Sequence, residues 1–364
     1  MLREGVVINM KLIINGWFYV NKEGTGIDRF GRELLKALDE IVDTNQIVLL
    51  VPEYVDLEFE FKHIVVKKKG RTRPFIWQQT TLVSYVKAKK KYGYKCLSIT
   101  NTFPILLNDG FVFIHDISPI VNKNYYSRKF RLKTNWQTAL LMKKKKLEIF
   151  TISNFTKNEI MRVFGRHADM AVVPCGWEHI LNIPSDSEFW SKHNNIKKGE
   201  YFFAMSSVSP NKNFRWILEA AKFNQDMQFI IAGKMDTNIF GGKEVISGNN
   251  ILFLGYITDS EAKCLMENAK AFVFPSFYEG FGIPPLEALA CGTQIIISDI
   301  PCLKAIYGDS AHYIDPNNPN IDLNMLLRTP VKNREAVLET NTWENAALRI
   351  AVQLNLKLCT DQIV

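Results

Sequence analysis

Cysteine is sparse in this chain of 364 residues. Its six thiols (Cys96, Cys175, Cys264, Cys291, Cys302, Cys359) form no CxxC pair and no metal-ligand spacing. That excludes a disulfide framework and a zinc ribbon, and the plain reading is free thiols in a reducing compartment. Long apolar runs are also missing, with none approaching the roughly 18 residues of a membrane-crossing helix. No repeat with a period of about 20–50 residues and no low-complexity tract is present, which excludes solenoids and propellers. There is no Walker A loop, no GxSxG, no HExxH and no DxD pair, so a bound catalytic metal is not indicated. The opening "MLREGVVINMKLIINGWF" carries an acid and only short apolar stretches. It reads as a first strand after a short leader, started at Met1 or Met10, and not as a signal peptide.

What is present is an ordinary globular balance, 47% hydrophobic and 23% charged residues, with a net charge of +8. The length allows two or three domains. The charge is uneven: residues 1–180 hold 29 Lys+Arg against 17 Asp+Glu, giving +12, and the remainder holds 16 against 20, giving −4. Basic clusters stand at "VKKKGRTR" (66–73), "KAKKK" (87–91) and "MKKKKLE" (142–148). No aromatic-studded basic strand or recognition helix accompanies them, so nucleic acid is not the indicated partner. Two readings remain, an anionic membrane surface and a solvated face that aids solubility.

The second half alternates regularly. Apolar runs at 201–207, 228–233, 251–255, 271–276, 293–298 and 311–315 read as buried strands, with helical patterns at 213–223, 259–269, 285–291 and 301–308. The first half repeats the theme. Strands are expected at 11–15, 46–51, 62–66, 96–99, 111–114, 148–152 and 170–173, and helices near 26–42, 75–90, 124–146 and 155–164. Short apolar strands alternating with helices define an α/β protein with parallel sheets covered on both faces. The expected organisation is two Rossmann-like domains facing a cleft, residues 1–178 and 179–341. A last helix within 342–364 is expected to pack back across the junction.

Ligands of open parallel sheets bind beyond the carboxyl ends of the strands, and the unusual residues cluster there. "FPSFYEGFGIPPLEALACG" (274–292) sets Glu279 and Glu287 eight positions apart, with Gly280-Phe281-Gly282 and a double proline between them. The prolines suit a helix start, and the glycines let backbone approach a ligand where a helix N-terminus favours phosphate. Glu287 reads either as a ligand-binding carboxylate or as a first-turn residue complementing the helix dipole. "SSVSPNKNFRWILEA" (206–220) offers Lys212 as a phosphate partner. "EGTGIDRFGRELL" (23–35) is a Gly-rich loop resembling half a dinucleotide fingerprint. "VFIHDISPI" (112–120) places His115 after a strand, as a structural histidine or a site residue.

Together these segments resemble the family 4 glycosyltransferases of the GT-B fold, over essentially the whole chain. The most specific match is "EGFGIPPLEALACG" (279–292), the family's Glu-(seven residues)-Glu motif. "GTGIDRFGRELL", "FIHDISP", "TISNFTKNEI", "VPCGW", "SPNKN", "IAGK", "LGYI" and "YGDSAHYIDP" support it in order. The resemblance implies that Glu279 holds donor-sugar hydroxyls while backbone near Gly280, Phe281, Gly282 and Ile283 approaches sugar and diphosphate. It implies that Glu287 binds the ribose, Lys212 neutralises the diphosphate, Gly26 approaches the phosphates and His115 touches the transferred sugar. Backbone near Tyr256 and Ile257 is expected to read the base. The family's second phosphate cation is absent: its positions read Ser206-Ser207 and Asn211, with Arg215 displaced. The family's "LPEV" reads "CLKAI" (302–306).

The stretches 73–91 and 101–133 are similar to bacterial polysaccharide-assembly enzymes, rhamnosyltransferases first and O-antigen mannosyltransferases second. This implies a metal-independent, retaining transferase that uses a nucleotide-sugar donor and needs no cofactor. Rhamnose from dTDP-rhamnose is the first expectation and mannose from GDP-mannose the second. The implied acceptor is a lipid-linked saccharide, and the implied location is the inner face of the cytoplasmic membrane. The segment 124–146 is either a lipid-docking element or an ordinary amphipathic helix. A sugar-nucleotide epimerase of the same fold and a non-catalytic nucleotide-sugar binder are the alternatives of other classes.

Overall fold

The computed structural model describes residues 10–21, 24–57, 59–165, 170–206, 209–233 and 249–359. The alternative start Met1, Glu23 of the Gly-rich loop, Ser207 at the missing-arginine position and Lys234 of "IAGK" lie outside them. The chain forms two compact units. The first comprises 1–121, 126–176 and 343–364, and the second 122–125 and 177–342.

Among the described residues, the first unit is built on seven strands: β1 (Lys11–Asn15), β2 (Ile47–Val51), β3 (Val65–Lys68), β4 (Tyr94–Ser98), β5 (Asp109–Ile114), β6 (Lys146–Thr151) and β7 (Ala171–Val172). Their order is β3-β2-β1-β4-β5-β6-β7, and every pair is parallel. β2 is buried along its whole length, as expected of a strand covered on both faces. The helix Gly26–Ile41 buries Phe30, Leu34, Leu35 and Leu38 at helical spacing. Phe30 lies 5.2 Å from Phe113 and 5.6 Å from Trp343, ring centre to ring centre. Trp343 opens the helix Trp343–Gln353, which therefore packs on the first unit, and Gln46 ties the following segment down through Lys357.

The second unit holds β8 (Tyr201–Met205), β9 (Gln228–Ala232), β10 (Ile251–Gly255), β11 (Ala271–Phe274), β12 (Gln294–Ser298) and β13 (His312–Ile314), in the order β10-β9-β8-β11-β12-β13. These pairs are also all parallel. The Thr258–Glu261 capping box opens the helix Asp259–Asn268. In each sheet the strand order reverses once, between β1 and β4 and between β8 and β11. Connections leave in opposite directions at such a point, so a crevice opens beyond the strand ends.

Two expected elements differ. The strand expected at 62–66 begins at Val65 instead. The buried Asp39 carboxylate takes the amides of Lys62, His63 and Ile64 at 2.7–2.8 Å, which bends that stretch out of any ladder. The helix expected at 75–90 is interrupted: a π-helical turn, Gln78–Leu82, separates Pro74–Trp77 from Val83–Lys89. Its side chains serve as hydrogen-bond partners, Gln78 donating to Thr102 and Gln79 accepting from the Ile105 amide.

Gly16 follows β1 under tight packing. A Cβ there would sit 2.5 Å from Val51 Cγ1 and 2.7 Å from the Leu50 carbonyl oxygen. Gly16→Ala is expected to destabilise the protein by about 1–3 kcal/mol, the usual cost of overpacking. It should lower the urea midpoint without changing the slope. An unchanged midpoint would refute the crowding.

Candidate active site

The loops leaving β8 and β11, neighbours at the reversal point of the second sheet, are pinned to one another. Pro210–Lys212 forms a 3-10 turn and Asn213 takes a left-handed conformation (φ 54°). Its side-chain amide donates to the carbonyls of Pro275 and Pro316 at 3.0 and 2.8 Å. The Phe277 amide donates to the Asn211 carbonyl at 2.8 Å. Asparagine suits both tasks, because it tolerates positive φ and carries the donor.

This backbone brings Lys212 and Glu279 together. Lys212 Nζ lies 2.7 Å from Glu279 Oε1, and the two side chains are 19% and 10% exposed. The ammonium also sits 5.2 Å from the Phe274 ring centre. Beyond Glu279, Gly282 (φ 99°) caps the helix Ile283–Ala290. Its carbonyl accepts a 2.6 Å hydrogen bond from the buried Tyr307 hydroxyl. A side chain at this φ is strained, and a Cβ would also meet Leu303 at 3.0 Å. Pro284 and Pro285 occupy the first turn, where missing N–H groups cost little. Phe281 is buried beside them.

Glu287 is the fifth residue of that helix, and the first turn carries no acid. The dipole-complementing reading is thereby set aside. Its carboxylate lies 2.8 Å from His179 Nε2, with side chains 4% and 5% exposed. The sequence reading missed His179. It lies 108 positions away in the polar segment after "VPCGW", and no local pattern marks it.

Two residues near Lys212 in the chain bear on the missing second cation. Asn211 is buried, its Oδ1 accepting from Ser209 at 2.6 Å, and Arg215 is exposed on the helix Phe214–Phe223. Tyr256 and Ile257 follow β10 at the edge of the sheet, with Tyr256 68% exposed.

Gly26 and His115 belong to the first unit. Gly26 opens the helix Gly26–Ile41 behind a Thr25–Asp28 capping box, and a Cβ on it would meet nothing within 4 Å. The fold itself does not require glycine there. His115 follows β5, buried, with its ring edge-on to Phe30 at 4.8 Å. Nε2 lies 2.7 Å from the Ile99 carbonyl oxygen, which can only accept, so Nε2 carries the proton and Nδ1 is left as an acceptor. Burial pulls this imidazole down from 6.5 to about 4, partly offset by the Ile99 carbonyl. The ring is therefore neutral at pH 7 and suited to accepting a hydroxyl hydrogen bond.

Among the described residues, all six cysteines are free, and no three His, Cys, Asp or Glu are grouped as metal ligands.

Comparison with known proteins agrees with the fold. The model of the family "Glycosyl transferases group 1" matches residues 186–339. The chain is 29% identical to the O-antigen chain mannosyltransferase RfbU of Salmonella typhimurium over 316 residues, 82% of this chain and 85% of that one. It is 28% identical to O-antigen chain mannosyltransferase B of Escherichia coli over 59% of each chain. The solved structure of Anabaena HepE, in complex with UDP and glucose, superposes with a TM-score of 0.70 at 16% identity, over 95% of this chain and 99% of that one. The protein is a glycosyltransferase of the GT-B fold. More particularly, it is related to the bacterial O-antigen mannosyltransferases.

The His115 geometry carries a pH dependence. Unfolded, the imidazole takes up a proton near pH 6.5, whereas the folded ring refuses it until about pH 4. Stability present above pH 6.5 is therefore lost as pH falls toward 4, by on the order of 3 kcal/mol from this group. Urea unfolding between pH 7 and 4.5 should show a smaller loss for His115→Gln than for wild type. Equal losses would contradict the buried neutral ring.

Proposed function

We propose that the protein is a family 4-type, retaining transferase. It moves mannose from a nucleotide-activated donor, GDP-mannose by first choice, onto a lipid-linked saccharide in bacterial surface-polysaccharide synthesis. The observation that carries this reading is the Lys212–Glu279 ion pair on the Glu-(seven residues)-Glu loop, at the reversal point of a parallel sheet. Similarity to O-antigen mannosyltransferases favours mannose over the rhamnose expected first.

In this reading Lys212 turns from Glu279 to the donor diphosphate and takes up the charge that grows as the C1–O bond to phosphate breaks. Glu279, released from the lysine, accepts hydrogen bonds from sugar hydroxyls. Backbone amides around Gly280, Phe281, Gly282 and Ile283 approach sugar and diphosphate, and Glu287 accepts from the ribose. Backbone at Tyr256 and Ile257 reads the base. Gly26 leaves room for phosphate, and His115 Nδ1 accepts from a sugar hydroxyl. The acceptor hydroxyl forms the new bond to C1, and its proton passes to the departing diphosphate. Neutralisation is assigned to Lys212 without a metal, and rate comes from positioning and charge stabilisation.

Calorimetric titration with GDP, dTDP and UDP tests the donor. GDP is expected to bind at least tenfold more tightly than the others, a difference of about 1.4 kcal/mol. Glu279→Ala should keep GDP binding and lower kcat by roughly two orders of magnitude, the cost of losing one transition-state contact. Preference for dTDP would return the reading to rhamnose. Donor turnover without acceptor would indicate an epimerase, and binding without turnover a non-catalytic binder.

The anionic membrane surface enters as the acceptor's setting. Among the described residues no helix is long and apolar enough to cross a membrane. The helix Arg128–Met142 exposes Phe130, Leu132 and Trp136 between Arg128, Lys129 and Lys133, and Phe75 and Ile76 are exposed on Pro74–Trp77. Lys133 lies 5.5 Å from the Phe75 ring centre, which places the two elements side by side. Sedimentation with vesicles of phosphatidylglycerol should capture the protein, and neutral vesicles should not. The double substitution Phe130→Ala with Trp136→Ala should weaken capture by roughly tenfold or more. Equal capture by both lipids, or by wild type and variant, would refute this surface.

A further inference from the structure

We propose that His179 is a positioning residue for donor binding: it holds the Glu287 carboxylate in the orientation that accepts the ribose hydroxyls. This inference rests on the reading of Glu287 as the ribose-binding group.

The carboxylate needs such a partner. Glu287 is 3% exposed in a neighbourhood of buried Leu286, Ala288 and Leu289, and an unpaired charge there is strongly disfavoured. His179 Nε2 lies 2.8 Å from Oε1, and because a carboxylate oxygen only accepts, the histidine donates. One oxygen is thereby fixed and the carboxylate plane set, with the other edge of the group oriented by the same contact.

His179 is itself held firmly. It lies in the 3-10 turn Glu178–Asn182, where Ile180 is buried and its amide donates to the Trp177 carbonyl at 2.9 Å. The Trp177 indole N–H donates to the Leu338 carbonyl at 2.9 Å, and the Trp177 amide to the Glu178 carboxylate. The ring thus belongs to a turn tied through Trp177 to Leu338. A supporting group must be fixed in this way to hold another group to a fraction of an ångström. The turn also lies just after Gly176, where the chain enters the second unit.

The readout is ribose discrimination, which a general loss of stability does not alter. Binding of GDP and of 2′,3′-dideoxy-GDP is measured calorimetrically for wild type, His179→Ala, His179→Gln and Glu287→Ala. Wild type is expected to prefer GDP by roughly tenfold, the size of a hydrogen bond to a charged group. In His179→Ala the preference should collapse toward one, chiefly through weaker GDP binding. His179→Gln, whose amide can donate to Oε1, should restore most of it. In turnover, His179→Ala should raise the donor KM and leave kcat within about twofold, the signature of lost uniform binding.

If His179→Ala keeps the wild-type preference while Glu287→Ala loses it, the positioning role is wrong and the ribose reading stands. If Glu287→Ala also keeps the preference, the ribose reading itself fails. Should His179→Ala not fold, His179→Asn replaces it, a polar side chain too short to reach Oε1. Retained preference in that variant overturns the inference.

Discussion

The ion pair between Lys212 and Glu279 joins two loops that leave adjacent strands, and the carboxyl edge of the second sheet is organised around it. Neither charge is well exposed, so removing one partner leaves the other poorly solvated, at a cost of a few kcal/mol. The surrounding scaffold also holds the two loops within reach of each other. Asn213 clamps the loop after β8 to the carbonyls of Pro275 and Pro316, and the Phe277 amide closes on the Asn211 carbonyl. Such a pair suits a site that receives a dianionic diphosphate bearing a sugar. In the proposed reading, phosphate would replace the carboxylate as the lysine's counter-ion and sugar hydroxyls would replace the lysine as the carboxylate's donors. Both groups would then exchange one set of partners for another, with neither left bare.

The two glutamates of the motif have different partners despite their short spacing. Glu279 lies on the loop and meets a lysine, and Glu287 lies a full turn into the helix and meets a histidine. Gly282 makes the separation possible. Its positive φ turns the chain sharply between them, and the Tyr307 hydroxyl holds that turn through the Gly282 carbonyl. Each carboxylate thus has its own donor, and in the proposed reading the two serve different parts of one extended ligand.

Legibility in the sequence followed the range of the interactions. Strand positions were readable because a fully buried parallel strand is a short continuous apolar run, and the runs at 11–15, 251–255 and 293–298 match their strands to within one residue. The Glu279–Glu287 motif was readable because its glycines and prolines are local requirements of a turn and a helix start. The failures share a different origin. Asp39 draws three amides across 23–25 positions and displaces the expected strand at 62–66. The apolar pattern at 75–90 is helical throughout, so the π turn left no mark in it. His179 and Glu287 are brought together only by the packed second unit. A lone histidine carries no sign of its partner, and the sequence around His115 gave no sign that its Nε2–H would donate to the Ile99 carbonyl.

The same distinction bears on which parts of the site tolerate change. Gly26 has open space around it and an ordinary φ, so the fold exerts no demand there, whereas Gly282 is constrained by its own backbone and by Leu303. Substitution at Gly282 disturbs the loop and the helix start together, and lost activity there says little about ligand contact. A small side chain at Gly26 leaves the helix and its capping box intact, so any effect must come from what approaches it. Within the proposed reading, Gly26 is therefore the cleaner probe of phosphate approach, although the second unit carries the more specific motif. In the second unit the informative substitutions are those that change a carboxylate or its partner and leave the glycine turn alone.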